Sequence, residues 1–501
     1  MVNGIYSKIY SASKLVFTEK IGRSLEFYLK DKIEGIHKVG EEILCIVTDG
    51  NLYEVLKELK GNPEFQVESL NYITSYSSKD RAYSLISLSS HINNFSILIK
   101  VKLHMQDLER KYGEILNLVS SFYKATEFYK KRDNLKSKYS DIIAFSQNLD
   151  GLDSFDAYAS STGDTLDKIY IDRSISKFNI DDFYKDFSIL KLISYIGRFD
   201  YKAAVFPELC FCMNYEKMLQ MKIPKRAQYI RMLLCELFRI SSHISFIDGM
   251  SNILGCSIAY NLALIERERI LRLIENITGS RIFPNFIRIG GVAKDIDKEI
   301  IGSIIKDIKI LYEKIKKIEG MLTGSSQVVE KLREKGIIDK STAIDFGLSG
   351  PNLRAAGIRS DLRRKADFLL YKDVSFTVPL GKYGDCLDRF LIRFKEIYQS
   401  IKIISQIVTR MPPGAIRKMI KVSHLEFPFS TMISEVECPH GVFKIYTEVE
   451  KNKVLSLVVM GPSMNSLIIG EKILRRSRID DLNLILTSLD ISSGEIIGRQ
   501  E

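Results

Sequence analysis

The sequence predicts an α+β protein in which a small N-terminal α+β domain precedes a larger, mainly helical domain. Alternating apolar residues, typical of strands, are concentrated in the first ~135 residues, whereas helical spacing of apolar residues prevails afterwards. At 501 residues the chain also exceeds the size at which one hydrophobic core usually stops growing. More than one core is therefore expected.

The N-terminal domain is predicted from short elements that alternate in type. Strand patterns cover, in order, Glu42–Thr48, Phe65–Tyr76, Ala82–Leu88 and the segment from Ile97 to Leu103. Polar residues, including Lys100, alternate with the apolar ones in the last segment, which predicts a half-buried strand. Helical patterns cover Arg23–Lys32 and Leu52–Leu59.

A segment of different composition follows. Asp141–Asp167 is rich in Asp, Ser and Gly and has little hydrophobic periodicity, which favours a mobile or surface-running connector. The predicted organisation is therefore a small α+β domain at residues 1–138, a connector at 139–167 and the large domain at 168–501.

The most informative helix of the large domain is predicted from Pro224 to beyond His243. Apolar residues recur along it at helical spacing, yet Arg231, Glu236, Arg239 and His243 lie among them. Charged groups beside a buried stripe need partners, so an internal ionic network is expected. Pro224 suits the first helical turn, where its missing N–H costs nothing.

Two further stripes predict helices of a bundle core, and one segment predicts a sheet. The stripes run from Ile300 to Ile318 and from Phe390 to Ile404. Val442–Val458 alternates enough to predict a small sheet near the bundle.

Charge and composition restrict the class of partner. Lys and Arg number 73 against 62 Asp and Glu, which gives a net charge of +11. The basic residues are scattered without interleaved aromatics, which argues against nucleic-acid binding and favours packing near a membrane. No apolar run is long enough to span a bilayer, and no targeting sequence opens the chain. Seven scattered cysteines favour reduced thiols, so a peripheral protein on the cytoplasmic side of a membrane is expected.

Nine motifs occur in a fixed order and carry a family resemblance. They are Arg198-Phe-Asp-Tyr201, the Pro224–His243 segment, Ile265–Arg269, Gly279–Gly291, Ser349–Arg354, Gly384–Arg389, Met411–Gly414, Glu437–Gly441 and Ser488–Asp490. In this order they resemble the 49-kDa-type subunit of respiratory complex I (NADH:quinone oxidoreductase), in the superfamily of the large subunits of group 4 nickel–iron hydrogenases. Phe122–Asp133 resembles the end of the 30-kDa-type subunit. A natural fusion of the two subunits is implied, with a hydrogenase-large-subunit-like helical bundle.

The resemblance implies a peripheral-arm subunit of a membrane-attached oxidoreductase complex. An NAD(P)H or other donor would feed electrons to an iron–sulfur cluster held by a neighbouring subunit. From there they would pass to a quinone-type acceptor, coupled to ion translocation in membrane pumping subunits. Two alternatives remain open: a metal-free relative of energy-converting hydrogenases that reduces another acceptor, such as a sulfur compound, and a non-catalytic coupling scaffold.

The cysteines argue against a nickel centre. Hydrogenase relatives hold nickel and iron with two Cys-x-x-Cys pairs, because soft thiolates suit those metals. Here Cys210-Phe-Cys212 has the wrong spacing, and Asp490–Glu495, where the second pair would fall, contains no cysteine. No nickel and no other metal site is predicted, and Cys210 and Cys212 are interpreted as structural thiols.

The resemblance assigns catalysis to Tyr201 and His243. Tyr201 matches the tyrosine that hydrogen-bonds a quinone carbonyl, and a phenol can also donate a proton; a packing role is the alternative. The family's quinone-facing histidine motif is absent, because no histidine lies between His104 and His243. Ile253 replaces the aspartate that orients that histidine, which leaves Asp248 as another candidate. Arg173–Lys177 has Ser176 where the family has a glutamate.

The resemblance places arginines beside the neighbouring subunit's cluster. Arg231 and Arg354 are the candidates, since a guanidinium is permanently charged and raises the potential of a nearby cluster. Asp385 and Arg389 belong to the turn Gly384–Arg389, which is expected to line the acceptor cavity together with Tyr201 and His243. Structural ion pairs are the alternative for all four residues.

Overall fold

The computed structural model describes residues 20–39, 42–78, 81–93, 95–103, 108–123, 141–146, 154–171, 184, 187–365, 369–418, 429–451 and 453–496. Helices and several small sheets coexist in it, so the predicted α+β class is confirmed. The motif Arg173–Lys177 and most of Phe122–Asp133 lie outside the described residues.

A five-stranded sheet forms the N-terminal part. Its strands are β1 (Gly35–Val39), β2 (Glu42–Thr48), β3 (Ser69–Ser78), β4 (Arg81–Ser90) and β5 (Phe95–Leu103). The spatial order is β1-β2-β5-β4-β3, in which only the β2–β5 pair is parallel. Three helices, α1 (20–29), α2 (Leu52–Gly61) and α3 (Leu108–Phe122), share a core with one face of this sheet. The predicted strands and helices of this part are therefore present, but the strand predicted over Phe65–Tyr76 begins only at Ser69, and the helix predicted over Arg23–Lys32 ends at residue 29.

The opposite face of this sheet is also covered, which sequence periodicity did not predict. A second sheet, made of β11 (Ser430–Glu437), β12 (Val442–Glu450) and β13 (Lys453–Met460), packs against it. Lys100 consequently lies inside, where its ammonium pairs with Glu448, and Glu448 accepts the hydroxyls of Tyr76 and Tyr446. The prediction that β5 is half-buried is wrong, because a paired charge can occupy an interior position.

The predicted connector contains regular structure. Strands β6 (Asp141–Ser146), β7 (Ser154–Thr162) and β8 (Thr165–Ile171) form an antiparallel sheet. Leu166 and Ile171 are buried in the core of the larger part, and Glu471 accepts the backbone N–H of Ile171. The prediction of a surface-running segment is therefore wrong for β7 and β8, which contribute buried residues to this core. The boundaries 1–138, 139–167 and 168–501 stay a prediction.

Twelve described helices, two short strands and the β11–β13 sheet make up the rest. The helices are α4 (Ile189–Ile196), α5 (Val205–Met218), α6 (Lys225–Ile253), α7 (Ser257–Thr278), α8 (Lys298–Thr323), α9 (Ser326–Leu332), α10 (Lys340–Asp345), α11 (Gly350–Ala355), α12 (Leu362–Lys365), α13 (Cys386–Arg410), α14 (Ser463–Ile473) and α15 (Leu482–Ser488). Strands β9 (Ile287–Arg288) and β10 (Gly291–Val292) form a hairpin. Among these helices, none combines the length and apolar character needed to cross a membrane.

Helix α6 is the centre of the bundle. It contacts α5, α7, α13 and α15, and its residues are buried on all sides from Tyr229 to Ser251. Pro224 lies at its N-cap, one position before the first helical residue. A helix that is buried all round and yet carries arginine, glutamate, aspartate and histidine side chains must find partners for them on its neighbours. The neighbouring elements that supply these partners therefore surround the candidate functional site.

The buried Lys100–Glu448 pair between the two sheets provides a stability prediction. Lys100→Met should lower the free energy of unfolding by about 3–5 kcal/mol, because Glu448 loses its ammonium partner inside the protein. The double variant Lys100→Met/Glu448→Gln should recover most of this loss, since a neutral amide still accepts from Tyr76. Denaturant unfolding of the full chain is the measurement.

Lys102→Met is the matched control for this pair. Lys102 lies on the same strand as Lys100 and pairs with Glu34, but both of those side chains are about 40% exposed, so the expected loss is at most about 1 kcal/mol. Equal losses for the Lys100 and Lys102 variants would contradict the prediction.

Candidate functional site

Buried charged side chains meet where α6, α11, α12, α13 and β11 come together; we call this group the ionic core. It consists of Glu236, Arg239, Arg354, Asp361, Arg363, Glu396 and Glu437, all nearly inaccessible to solvent. Three arginines face four carboxylates within it. Such a group is stable only when each charge is paired and hydrogen-bonded.

Arg354 lies at the centre of the ionic core. Its Nε donates to Glu396 at 2.8 Å, and its Nη1 donates to Glu437 at 2.7 Å and to the carbonyl of Ser360 at 2.9 Å. Although burial opposes the charge, Glu396 and Glu437 raise the pKa of Arg354 above its ordinary value. The guanidinium thus stays charged and joins α11, α13 and β11.

Glu236 is the anchor that α6 supplies. It accepts hydrogen bonds from the hydroxyls of Tyr371 and Ser400, both at 2.6 Å, and lies 3.3 Å from Arg363 and 3.4 Å from Arg239. Burial favours the neutral carboxyl, but the two arginines outweigh it and lower the pKa of Glu236. The charged residues predicted within this helix therefore have the partners that the sequence required.

His243 reaches the ionic core from the next turns of α6. Its Nε2 lies 3.0 Å from Oε2 of Glu396. Burial lowers the pKa of His243 to about 4, so the imidazole is neutral near pH 7 and its Nε2–H donates to the carboxylate. Nδ1 is enclosed without a hydrogen-bond partner among the described residues. His243 is completely buried and is not observed on the wall of an open cavity, where the sequence placed it.

A second buried group, which we call the His440 cluster, adjoins the first. It consists of Asp200, Lys202, Arg393, Cys438, His440, Asp490 and Glu495. Ser242, the neighbour of His243, lies 3.4 Å from Nε2 of His440. Arg393 lies 3.2 Å from Asp490 and donates to the carbonyl of Pro439. Through α6 and α13 the two groups form one continuous polar interior.

Glycines and tight turns assemble the His440 cluster. Cys438 and Gly441 exchange backbone hydrogen bonds, which closes the turn that carries His440. Gly441 has a φ of +148°, and a Cβ there would overlap the Ser349 hydroxyl. A Cβ on Gly494 would meet the carbonyl of Phe199 at 2.9 Å. The backbones before Asp200 and before Glu495 can therefore approach only because residue 494 has no side chain.

Tyr201 lies at the edge of the His440 cluster. It follows Asp200 directly, is half-buried, and its ring centroid is 5.9 Å from Nζ of Lys202. Lys202 in turn lies 3.7 Å from Asp490, which lies 3.8 Å from Nε2 of His440. Tyr201 thus lies between the accessible surface and the buried charged groups of the His440 cluster.

Arg231 lies apart from the other predicted residues and has a clear structural contact. It forms a two-pronged pair with Glu216 of α5 and donates to the carbonyls of Arg288 and Gly291. These bonds hold the β9–β10 hairpin against the bundle. Arg231 and Arg354 are both buried, so neither guanidinium presents itself on the described surface for contact with a cofactor.

Asp385 and Arg389 organise the start of α13. Asp385 caps the helix by accepting the N–H of Asp388, and it also accepts the N–H of Glu334. Arg389 donates to the carbonyl of Gly384 and to the hydroxyl of Ser488. The structure thus gives both residues intrachain partners, and their predicted cofactor contacts stay a prediction.

One cleft of about 150 Å³ lies elsewhere in the molecule. Residues of β3 and β4 line it together with the 347–349 and 460–465 segments. None of the six predicted site residues lines this cleft. We therefore take the ionic core and the His440 cluster, with Tyr201 at the edge of the latter, as the candidate site.

Sequence reasoning missed His440 and its neighbours as functional candidates. Glu437-Cys-Pro-His-Gly441 was recognised only as a family motif, and the partners of His440 lie far away in the chain. The available signal was an imidazole and a thiol two residues apart, next to a glycine. All seven cysteines are free, and burial raises the pKa values of Cys210 and Cys212, as the interpretation of those two as structural thiols expects.

Comparison with known proteins places this geometry in a family. Residues 254–425 match the family described as the 49-kDa subunit of respiratory-chain NADH dehydrogenase. The chain is 34% identical over 332 residues to an NADH-quinone oxidoreductase subunit from Ehrlichia chaffeensis, and the match covers 61% of this chain and 84% of the relative. It is 35% identical over 311 residues to the corresponding subunit from Desulforamulus reducens, with coverages of 61% and 84%.

A solved structure is also similar. It is a chain of the membrane-bound sulfane sulfur reductase, an archaeal respiratory membrane complex, with a TM-score of 0.68 and 27% sequence identity. The match covers 73% of this chain and all of the other. The fold and the sequence therefore lead to the same superfamily.

The buried, neutral His243 predicts an acid-sensitive stability. An unfolded histidine titrates near pH 6.5 and the folded His243 near pH 4, so between these values the unfolded chain binds a proton that the folded chain does not. Stability is complete above pH 6.5 and should fall by on the order of 3 kcal/mol as the pH drops to 4. His243→Gln keeps an N–H donor for Glu396 and should flatten the dependence of Tm on pH.

The control for this titration is His37→Gln, because His37 is exposed on β1. That variant should retain the wild-type dependence of Tm on pH between pH 7 and pH 5. If wild type and His243→Gln lose Tm equally over this range, His243 does not titrate as described.

Proposed function

Because the chain belongs to the family of the 49-kDa subunit of respiratory-chain NADH dehydrogenase, we propose that it serves in a membrane-attached oxidoreductase complex. In this proposal electrons pass from an iron–sulfur cluster of a neighbouring subunit to a quinone-type acceptor beside Tyr201. Membrane subunits of the same complex would couple this step to ion translocation. The chain itself would supply the fold that positions the acceptor and the groups that deliver protons.

The position of Tyr201 is the observation that carries the proposal. Reduction of a quinone to a quinol consumes two electrons and two protons, so a proton donor is needed beside the acceptor. Tyr201 is half-buried and directly follows Asp200 of the His440 cluster. Its phenol can donate to the acceptor oxygen, and the buried cluster behind it can restore the proton.

His440 suits the role of a buried cation that holds the carboxylates of the cluster together. Burial alone would lower its pKa, but Asp490, Asp200 and Glu495 outweigh burial and raise it well above the ordinary value. In the metal-free chain the imidazole is therefore a cation paired with these three carboxylates. His243, in contrast, is neutral, so in this proposal it orients Glu396 and acts behind the site rather than on the acceptor.

Arg231 and Arg354 would act through the electrostatic potential of their positive charges. Arg231 and Arg354 are held as cations by Glu216 and by Glu396 with Glu437. A permanent positive charge in a region of low dielectric raises the reduction potential of a nearby cluster without touching it. Asp385 and Arg389 would fix the turn before α13 and thereby the position of Arg393 and Glu396.

A sulfur compound is the second candidate for the acceptor. The similar solved structure belongs to a sulfane sulfur reductase, and the sequence lacks a histidine between residues 104 and 243. Reduction of a sulfur–sulfur bond also needs electrons and protons, and a phenol could supply the latter equally well. The two candidate acceptors would therefore use the same proton donor, and they differ only in the molecule that receives the electrons.

Replacing Tyr201 with Phe should slow acceptor reduction by the intact complex by roughly a hundredfold or more. The substitution keeps the ring and removes only the donor, so subunit content and reduction of the upstream cluster should be unchanged. Turnover with a short-chain benzoquinone and cluster reduction by electron paramagnetic resonance are the measurements.

Tyr195→Phe is the matched control, because Tyr195 is half-buried on the preceding helix and contacts Phe187. That variant should turn over at the wild-type rate. Unchanged turnover in the Tyr201 variant, with normal subunit content, would exclude the phenol as a donor and favour a scaffold role.

Direct comparison of acceptors separates the two candidates. The intact complex, with its own electron donor, should reduce the benzoquinone with a higher kcat/KM than it reduces polysulfide, and Tyr201→Phe should lower the former rate. A preference for polysulfide that is also sensitive to Tyr201→Phe would contradict the quinone proposal and support the sulfur one.

A further inference from the structure

Four side chains of the His440 cluster surround one point in the interior. They are Asp200, Cys438, His440 and Glu495, and one ligand-type atom from each lies within 4.8 Å of all the others. Each residue is at most 2% exposed. A thiol, an imidazole and two carboxylates form a donor set that suits zinc(II).

Three separations between these atoms match those of ligands around a tetrahedral ion. His440 Nδ1 lies 3.5 Å from Asp200 Oδ2 and 3.3 Å from Glu495 Oε1, and Cys438 Sγ lies 3.7 Å from the same Oε1. Charge-assisted N–H···O bonds are usually about 2.7–2.9 Å. Zinc–ligand distances of about 2.0–2.3 Å in a tetrahedron separate the ligand atoms by roughly 3.3–3.8 Å, and these three separations lie within that range.

In each of the two carboxylates, one oxygen accepts hydrogen bonds from neighbouring groups and the other faces the point that the four side chains share. Asp200 Oδ1 accepts from the N–H of Lys202 and lies 3.5 Å from the Ser492 hydroxyl, whereas its Oδ2 is buried without a hydrogen-bond partner. Glu495 Oε2 accepts the backbone N–H and the hydroxyl of Ser463, which leaves Oε1 facing Cys438 and His440. The unpartnered Oδ2 of Asp200 is therefore aimed at the point that the other three ligands share.

The imidazole also has the surroundings of a metal ligand. Its Nδ1 faces the three other ligands, while its Nε2 faces Ser242 at 3.4 Å and Asp490 at 3.8 Å. Ligating histidines commonly present the second ring nitrogen to a carboxylate, which fixes the tautomer.

We propose that Asp200, Cys438, His440 and Glu495 bind one zinc(II) ion in a closed, four-ligand site. On binding, zinc replaces the proton on Nδ1 of His440 and the proton of the Cys438 thiol, so the charge of the cluster is unchanged. No electron is transferred. The ion would fix the segment around Glu495 to the turn that bears Tyr201. The proposal replaces the prediction from the sequence that the chain has no metal site.

Metal content of the full chain tests the proposal. Wild-type protein that is purified without chelator and passed through gel filtration should retain about one zinc ion per chain. Inductively coupled plasma mass spectrometry is the measurement. Cys438→Ser and His440→Gln should lose the zinc, whereas the controls Cys256→Ser and His37→Gln should keep it, since both control residues lie outside the cluster. Wild-type protein with no more zinc than the His440 variant would overturn the proposal.

Cobalt(II) provides a second readout that identifies the ligands. Cobalt-loaded wild type should show the intense visible bands of tetrahedral cobalt and a thiolate-to-cobalt band in the near ultraviolet. The thiolate band should vanish in Cys438→Ser and persist in Cys256→Ser. A thiolate band that survives Cys438→Ser would overturn the assignment.

X-ray absorption spectroscopy of the zinc-containing wild type tests the ligand set even if the variants do not fold. One sulfur and three nitrogen or oxygen neighbours around zinc would support the proposal. A zinc shell with no sulfur, or with more than one, would overturn it.

Discussion

The pairing of buried charges is the constraint on which the rest of the structure depends. Arg354 could not remain in the interior without Glu396 and Glu437, and each of those carboxylates would be equally costly alone. The three residues come from α11, α13 and β11, so their pairing fixes the relative positions of three elements at once. The adjacent His440 cluster relies on the same frame, because Glu437 immediately precedes Cys438 and Arg393 lies one turn before Glu396.

Much of the fold was accessible from the sequence because it depends on local patterns. The strand Glu42–Thr48 was predicted with its observed bounds, since its apolar run is short, β-branched and followed by a turn. The need for partners around Glu236 and His243 was also evident, because charged residues interrupted an apolar helix. Which groups would satisfy that need was not, since Glu396 lies 153 positions from His243.

The failures share one cause, which is packing between elements that are distant in sequence. Lys100 looked solvent-exposed because alternation says nothing about a second sheet that covers the polar face. Leu166 looked like part of a connector because the strands around it are short and its neighbours are polar. His440 escaped notice because its importance arises only when Asp200, Asp490 and Glu495 are brought around it by the fold.

The backbone contact that Gly494 permits has a kinetic consequence. Ser492 lies 292 positions from Asp200, so the cluster depends on contacts of very high sequence separation. The loop-closure entropy of such contacts must be overcome before they can contribute any favourable energy. During synthesis, α6 and its neighbouring helices can begin to pack while residues 490–495 are still unmade. The interior beside Tyr201 is therefore among the last regions to close, and an incompletely made chain cannot complete the His440 cluster.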